Sequence, residues 1–163
     1  MNVIVPVADH VAAAADLVRR YRELPPDARV RLGKPSSNLF RFGAPPPTLD
    51  ASGLSGVIAV DPVARTADVA GMTTYEDLVD ATLPHGLMPL VVPQLKTITM
   101  GGAVAGLGIE STSFRHGLPH ESVREMEILT GAGEVVTATP DGAFGTYPDS
   151  SELYVSSVDT SST

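Results

Sequence analysis

Cysteine is absent from the 163 residues, and so is tryptophan. Without thiols the chain forms no disulfide, no thiolate nucleophile and no zinc–thiolate centre, and it suits a reducing compartment. Aromatic residues make up only 5% of the sequence, so the core must be built from Ala, Val and Leu, as in a layered α/β or α+β body. Basic charge is scarce: 11 Lys and Arg against 19 Asp and Glu leave a formal net charge of −8. No basic stripe is available to displace counterions, which argues against a nucleic-acid partner. Long apolar runs are missing as well. The apolar part from Ile98 to Ile109 covers about half of the ~20 residues that a membrane span requires. The N-terminal "MNVIVPVADH" has neither the basic region nor the apolar length of a signal peptide. The expected setting is cytoplasmic, at most peripheral to a membrane.

What the chain does have is an alternation of short elements. Asp9 can cap a helix running to about Leu24, with Val11, Ala14, Val18 and Tyr21 spaced as one apolar stripe. "LPPDA" stops it, and "RVRLG" reads as a short strand. The polar loop "GKPSSNLFRFG" and the extended "APPPTL" follow. "GVIAVDPVARTADVAG" is strand, turn, strand, with Asp61-Pro62 opening the turn. Thr73 and Glu76 have capping-box spacing for a helix through about Leu83. "LMPLVV" is a buried strand, and "SVREMEILTGAGEVVTAT" reads as a hairpin around "TGAGE". The last residues, "PDGAFGTYPDSSELYVSSVDTSST", are rich in Ser, Thr, Asp and Gly and carry no strong element signal.

The unusual stretch is "PQLKTITMGGAVAGLGIESTSFRHG", from Pro93 to Gly117. Its glycines and hydroxyls come with almost no charge, and its apolar residues would be wasted in a solvated linker. Bare backbone in this quantity suits N–H groups that come close to a large polar ligand. A short helix opening at "MGGAVAG" would have unpaired N–H groups in its first turn, which suit a pyrophosphate. Both lysines of the chain, Lys34 and Lys96, fall in the two candidate binding loops. Other motifs are weaker. "GLGIES" lacks the preceding strand and the later acidic residue of a dinucleotide fingerprint. His116 and His120 have metal-ligand spacing, but Pro119 between them spoils a helix and no third ligand is evident, so no metal is expected. Ser111 and Ser113 lack a nucleophile elbow and read as ligand hydrogen-bonders.

The runs "RLGKPSSNLFRF", "LDASGLSGVIAVDPVARTADVAGMTTYEDLV", "LPHGLMPLVVPQLKTITMGGAVAGLGIESTSFRHGLPHESV" and "EILTGAGEVVTATP" together resemble the FAD-binding domain of the FAD-linked oxidase superfamily, the p-cresol methylhydroxylase or vanillyl-alcohol oxidase type. The Pro93–Gly117 stretch is most similar to the delta(24)-sterol reductase (diminuto) branch and its bacterial relatives. The resemblance covers about Arg29 to Pro140. It implies an α+β, two-lobed FAD-binding domain without its C-terminal substrate domain. The implied division is an N-terminal helix region at 1–28, a binding domain at 29–140 in lobes of about 29–92 and 93–140, and a divergent or disordered tail at 141–163.

Carried over by position, the implied FAD-binding residues are Gly33, Lys34, Pro35, Ser36, Ser37 and Asn38 in the first loop. In the second they are Lys96, Thr97, Thr99, Gly101, Gly102, Gly106, Gly108, Ile109, Glu110, Ser111, Ser113 and Gly117. Many relatives tether the flavin through a first-loop His; "RLGKPSSN" has none, so FAD is expected to bind non-covalently, with His116 a remote tethering candidate. The implied activity is a flavin-dependent oxidoreductase acting on a small molecule. NADPH-driven reduction of an alkene is the reading for the sterol-like branch. A hydroxyacid or sugar-lactone oxidase, or a non-catalytic flavin-binding fragment, is the alternative. No catalytic acid or base is identifiable.

Overall fold

The computed structural model describes residues 4–25, 28, 30–33, 48–141 and the backbone of 153–162. Helix α1 runs Val7–Arg22. Its N-cap is Pro6, whose φ of −57° already suits a helix entry, so Asp9 sits inside the first turn rather than capping it. There its carboxylate complements the positive end of the helix, and Arg19, Arg20 and Arg22 complement the other. Ala14, Leu17, Val18 and Tyr21 pack against Leu49, Ala51 and Leu54. Val11, expected on that stripe, instead faces outward.

Strands β1 (Arg31–Leu32) and β2 (Thr48–Leu49) form a small parallel pair. Strands β3 (Val57–Asp61) and β4 (Thr66–Val69) form the expected antiparallel hairpin. Asp61 opens its turn by accepting from the amides of Val63 and Ala64 at 2.8 and 2.9 Å. Helix α2 spans Tyr75–Thr82 and passes through a 3₁₀ turn to Gly86, whose φ of 70° ends it. Its cap is displaced by one residue from the sequence expectation. Thr74, not Thr73, accepts from the amide of Asp77 at 3.1 Å. Thr73 is fully buried and spends its hydroxyl on Gly56, accepting from its amide at 3.0 Å and donating to its carbonyl at 2.8 Å.

Strand β5 is Leu87–Pro89, followed by helices α3 (Met100–Gly106) and α4 (Ser113–His116). Strands β6 (Val123–Leu129) and β7 (Val135–Ala138) form the expected hairpin. The tail departs most from its sequence reading. Residues Leu153–Ser162 form β8, which lies inside the main sheet in the order β3-β4-β8-β6-β7 and also pairs with β5. Val158 alone is opposite Ala67 of β4 and Val123 of β6. The polar composition hid this because a central strand is held by ladders to both neighbours, whatever its own side chains suggest. Strands on both sides of residue 92 thus share one sheet.

The main core joins Val57, Val69, Tyr75, Leu78, Met100, Val104, Val123 and Met126. Burying each of the larger side chains contributes about 1.5–3 kcal/mol. Among the described residues no helix is long and apolar enough to cross a membrane.

Two outcomes check this account. Thr73→Val keeps the shape but leaves the buried Gly56 amide without its partner, while the Gly56 carbonyl keeps only the Ala70 amide at 3.1 Å. It should cost about 1–3 kcal/mol in urea unfolding, and an unchanged midpoint would show that the hydroxyl clamp is dispensable. Removing Leu153–Ser162 should expose β4, β5 and β6 edges and yield an unfolded or aggregating protein by circular dichroism and gel filtration. A tail unimportant to the fold would leave the spectrum and elution unchanged.

Candidate functional site

The glycine-rich stretch begins as expected. Thr99 is extended and caps α3, its Oγ1 accepting from the amide of Gly102 at 3.2 Å. Met100, Ala103 and Val104 anchor the helix in the core, while Ala105, Gly106 and Leu107 face out. The first turn, however, does not offer the unpaired donors expected of it. The amide of Met100 donates to the carbonyl of Thr73 at 2.8 Å, and that of Gly101 to the carbonyl of Gly71 at 2.8 Å. With Gly102 spent on its cap, residues 100–102 hold α3 against the entry turn of α2. Those carbonyl partners come from a distant turn, so the sequence alone could not assign them.

The second half of the stretch is arranged differently. Leu107 ends α3 in the left-handed region, at φ 48°. A side chain other than glycine pays about 1–2 kcal/mol for that backbone, and this one is 56% exposed. A Cβ at Gly106 would meet nothing within 4 Å, and one at Gly108 only the Glu110 Oε1 at 3.7 Å. Neither has a positive φ, so internal packing does not require glycine at either position. The backbone is nonetheless open on this side. Glu110 anchors the turn: its Oε2 accepts from the Gln94 amide at 3.2 Å and its own amide donates to Ser113 Oγ at 3.0 Å. Thr112 Oγ1 donates to the carbonyl of Leu90 at 3.0 Å. Along this stretch Leu95, Leu107, Ile109 and Phe114 are exposed, Ile109 at 81% and Phe114 at 88%.

The remaining sequence-assigned residues divide. Thr97, Ile109 and Ser111 are exposed along the same stretch. Lys96 is paired with Glu76 on α2, whose hydrogen bond and charge raise the lysine pKa, and the Lys96 carbonyl accepts from the Glu76 amide at 3.1 Å. It is therefore tied to α2. Gly117 has an internal reason to be glycine, since its φ is 76° and a Cβ would stand 2.5 Å from Glu121 Oε2. Gly33 donates to the carbonyl of Leu49 at 2.7 Å and closes the β1–β2 pair. Lys34, Pro35, Ser36, Ser37 and Asn38 lie outside the described residues. His116 and His120 belong to no group of three or more metal-ligating side chains among the described residues.

One residue was missed by sequence reading. Tyr75 opens α2 and donates its amide to the carbonyl of Ile98 at 3.0 Å, so it borders the glycine-rich stretch. The residue is 1% exposed and its buried hydroxyl has no hydrogen-bond partner. Burial raises its pKa, and the Glu110 carboxylate adds to the shift, so the phenol stays a neutral donor. A tyrosine at this place looks like an ordinary core aromatic, and no sequence signal sets it apart.

An extended cofactor with a polar linker and a flat apolar ring fits these features: open glycine backbone at 106–108, hydroxyls at Ser111 and Ser113, an orphaned donor in Tyr75 and an exposed apolar rim. A mixed sheet-and-helix domain with such a stretch is a nucleotide-cofactor-binding domain. The family model for the FAD binding domain matches residues 35–139, and the chain belongs to that family, within the FAD-linked oxidase superfamily.

Among relatives, the chain is 34% identical over 86 residues to cytokinin dehydrogenase 2 of Oryza sativa subsp. japonica, covering 53% of this chain and 15% of the relative. It is 37% identical over 101 residues to decaprenylphosphoryl-beta-D-ribose oxidase of Mycolicibacterium smegmatis, covering 58% and 20%. Among solved structures, 6-hydroxy-D-nicotine oxidase from Arthrobacter nicotinovorans matches with a TM-score of 0.69 and 18% identity, over 91% of this chain and 34% of that one. That likeness shows the fold. The chain thus spans a fifth or less of the length of the two relatives named.

Leu107 provides a test of whether its strain serves binding. Leu107→Gly relieves the left-handed backbone and gives up little buried area, so stability should hold or rise by up to about 1 kcal/mol. FAD affinity should fall several-fold in the same variant. A melting temperature lowered by more than about 4 °C, roughly 1 kcal/mol or more, with FAD affinity unchanged would make Leu107 a packing residue instead.

Proposed function

We propose that this chain binds FAD non-covalently along residues 97–113 and serves as the cofactor-holding part of a flavin-dependent oxidoreductase. The observation that carries this reading is the pair Gly106 and Gly108, bare and unobstructed beside an exposed apolar rim. FAD, when bound, supplies the means to take up or give back a hydride equivalent. The chain's own part is to bind, orient and keep water out. The backbone at 106–108 lets a polar linker lie close, and the Ser111 and Ser113 hydroxyls are donors for it. Glu110 holds the turn in shape through Gln94. The exposed side chains of Leu95, Leu107, Ile109 and Phe114 give a flat ring an apolar bed.

For the reaction, the relatives' names support oxidation of a small organic substrate, in line with the hydroxyacid or sugar-lactone oxidase reading. NADPH-driven reduction of a sterol-like alkene rests on the stretch "PQLKTITMGGAVAGLGIESTSFRHG". The first loop, Gly33 to Asn38, belongs to the same proposal, as does the two-lobe division. A cytoplasmic location goes with the cysteine-free composition.

Three measurements bear on this. After acid precipitation, all flavin should be recovered in the supernatant; colour in the pellet would point to a tether at His116 or His120. Gly108→Val should weaken FAD binding at least tenfold, about 1.4 kcal/mol, at an unchanged melting temperature of the apoprotein. Gly117→Ala should instead unsettle the fold, because its backbone is left-handed and its space is filled by Glu121. Wild-type affinity in Gly108→Val would remove the 106–108 backbone from the site.

A further inference from the structure

A cavity lies between α1 and the β6–β7 hairpin, and none of its lining residues belongs to the 95–114 stretch. Its volume is about 640 Å³, within the roughly 300–1,000 Å³ typical of small-molecule sites. Ala14, Leu17, Val18, Leu129 and Val135 make an apolar floor. The cleft follows α1 from His10 to Arg22, about 18 Å at the helical rise.

Its charges are unevenly used. Arg19 donates to Asp16 at 2.5 Å and to Glu23 at 2.8 Å. Arg22 is anchored through Nε to the carbonyl of Gly133 at 2.7 Å. Glu127, half-buried in the wall, has no Lys or Arg within ion-pairing distance among the described residues. The nearby His10 does not serve as its cation, since burial lowers the imidazole pKa despite the pull of Glu127. A half-buried carboxylate beside apolar surface is costly to leave unpaired. The chain's net charge of −8 further favours a positive guest over a negative one.

We infer that this cleft is a second ligand site, separate from the flavin stretch, that takes a small primary amine with a hydrocarbon body. The ammonium group pairs with the Glu127 carboxylate, and the hydrocarbon lies over Ala14, Val18 and Leu129.

The test uses the whole 163-residue chain, with and without FAD, titrated with n-octylammonium, octanoate or 1-octanol and followed by amide NMR shifts. Octylammonium should saturate with shifts confined to residues 10–23 and 127–135, and octanoate should bind at least tenfold more weakly. Glu127→Gln should weaken octylammonium about tenfold and leave 1-octanol unchanged. Ala15→Phe, at an exposed lining position outside the core, fills the cleft and should abolish binding of all three. FAD affinity should be the same throughout, so failure here and failure of the flavin reading are separable. Equal binding of octanoate, an unaffected Glu127→Gln variant, or shifts confined to 95–114 would overturn the assignment.

Discussion

Thr73 uses every polar group it has inside the protein. Its amide donates to Ala70, its hydroxyl both accepts from and donates to Gly56, and its carbonyl accepts from Met100. Gly71 accepts from Gly101 beside it, and Tyr75 donates to Ile98 two residues on. Through one turn, the end of β4, the start of α2 and the start of α3 are thus held together. A buried network of this kind is stable only if fully satisfied. The position of the glycine-rich stretch depends on it.

This attachment divides the stretch into two parts with different physical tasks. From Thr99 to Gly102 the bare backbone allows α3 to approach the 71–73 turn closely, and its amides are consumed there. From Gly106 to Ser113 the chain turns outward, and its glycines face open space that no internal contact fills. A single run of small residues therefore forms a structural junction and, in the function proposed above, a binding surface. Charge follows the same division. Lys96 is drawn into a pair with Glu76, so the proposed function assigns the polar linker to backbone and hydroxyl donors at 106–113. Leu107 and Tyr75 add local costs, one in backbone conformation and one in an unpaired buried hydroxyl. Such costs are typical of surfaces kept for a ligand.

Local patterns were legible in the sequence wherever the signal is short-range. The β3–β4 turn follows from Asp61, the place of α3 from "MGGAVAG", the stop after α2 from Gly86, and the β6–β7 hairpin from its alternation and "TGAGE". The glycine-rich stretch was legible from its composition, whereas the FAD-binding family was legible only through the resemblance of the runs from Arg29 to Pro140 to that family.

What the tertiary structure decided were pairings between residues far apart in the chain. Whether Thr73 or Thr74 caps α2 depended on Gly56, which lies 17 positions away and claims the Thr73 hydroxyl. Whether the amides of Met100 and Gly101 stay open depended on carbonyls of another turn. The Ser- and Thr-rich end became a central strand because β4, β5 and β6 each present a free edge to it. Composition and spacing determine what a segment is able to form; only the three-dimensional neighbours determine which of its hydrogen bonds remain for a ligand.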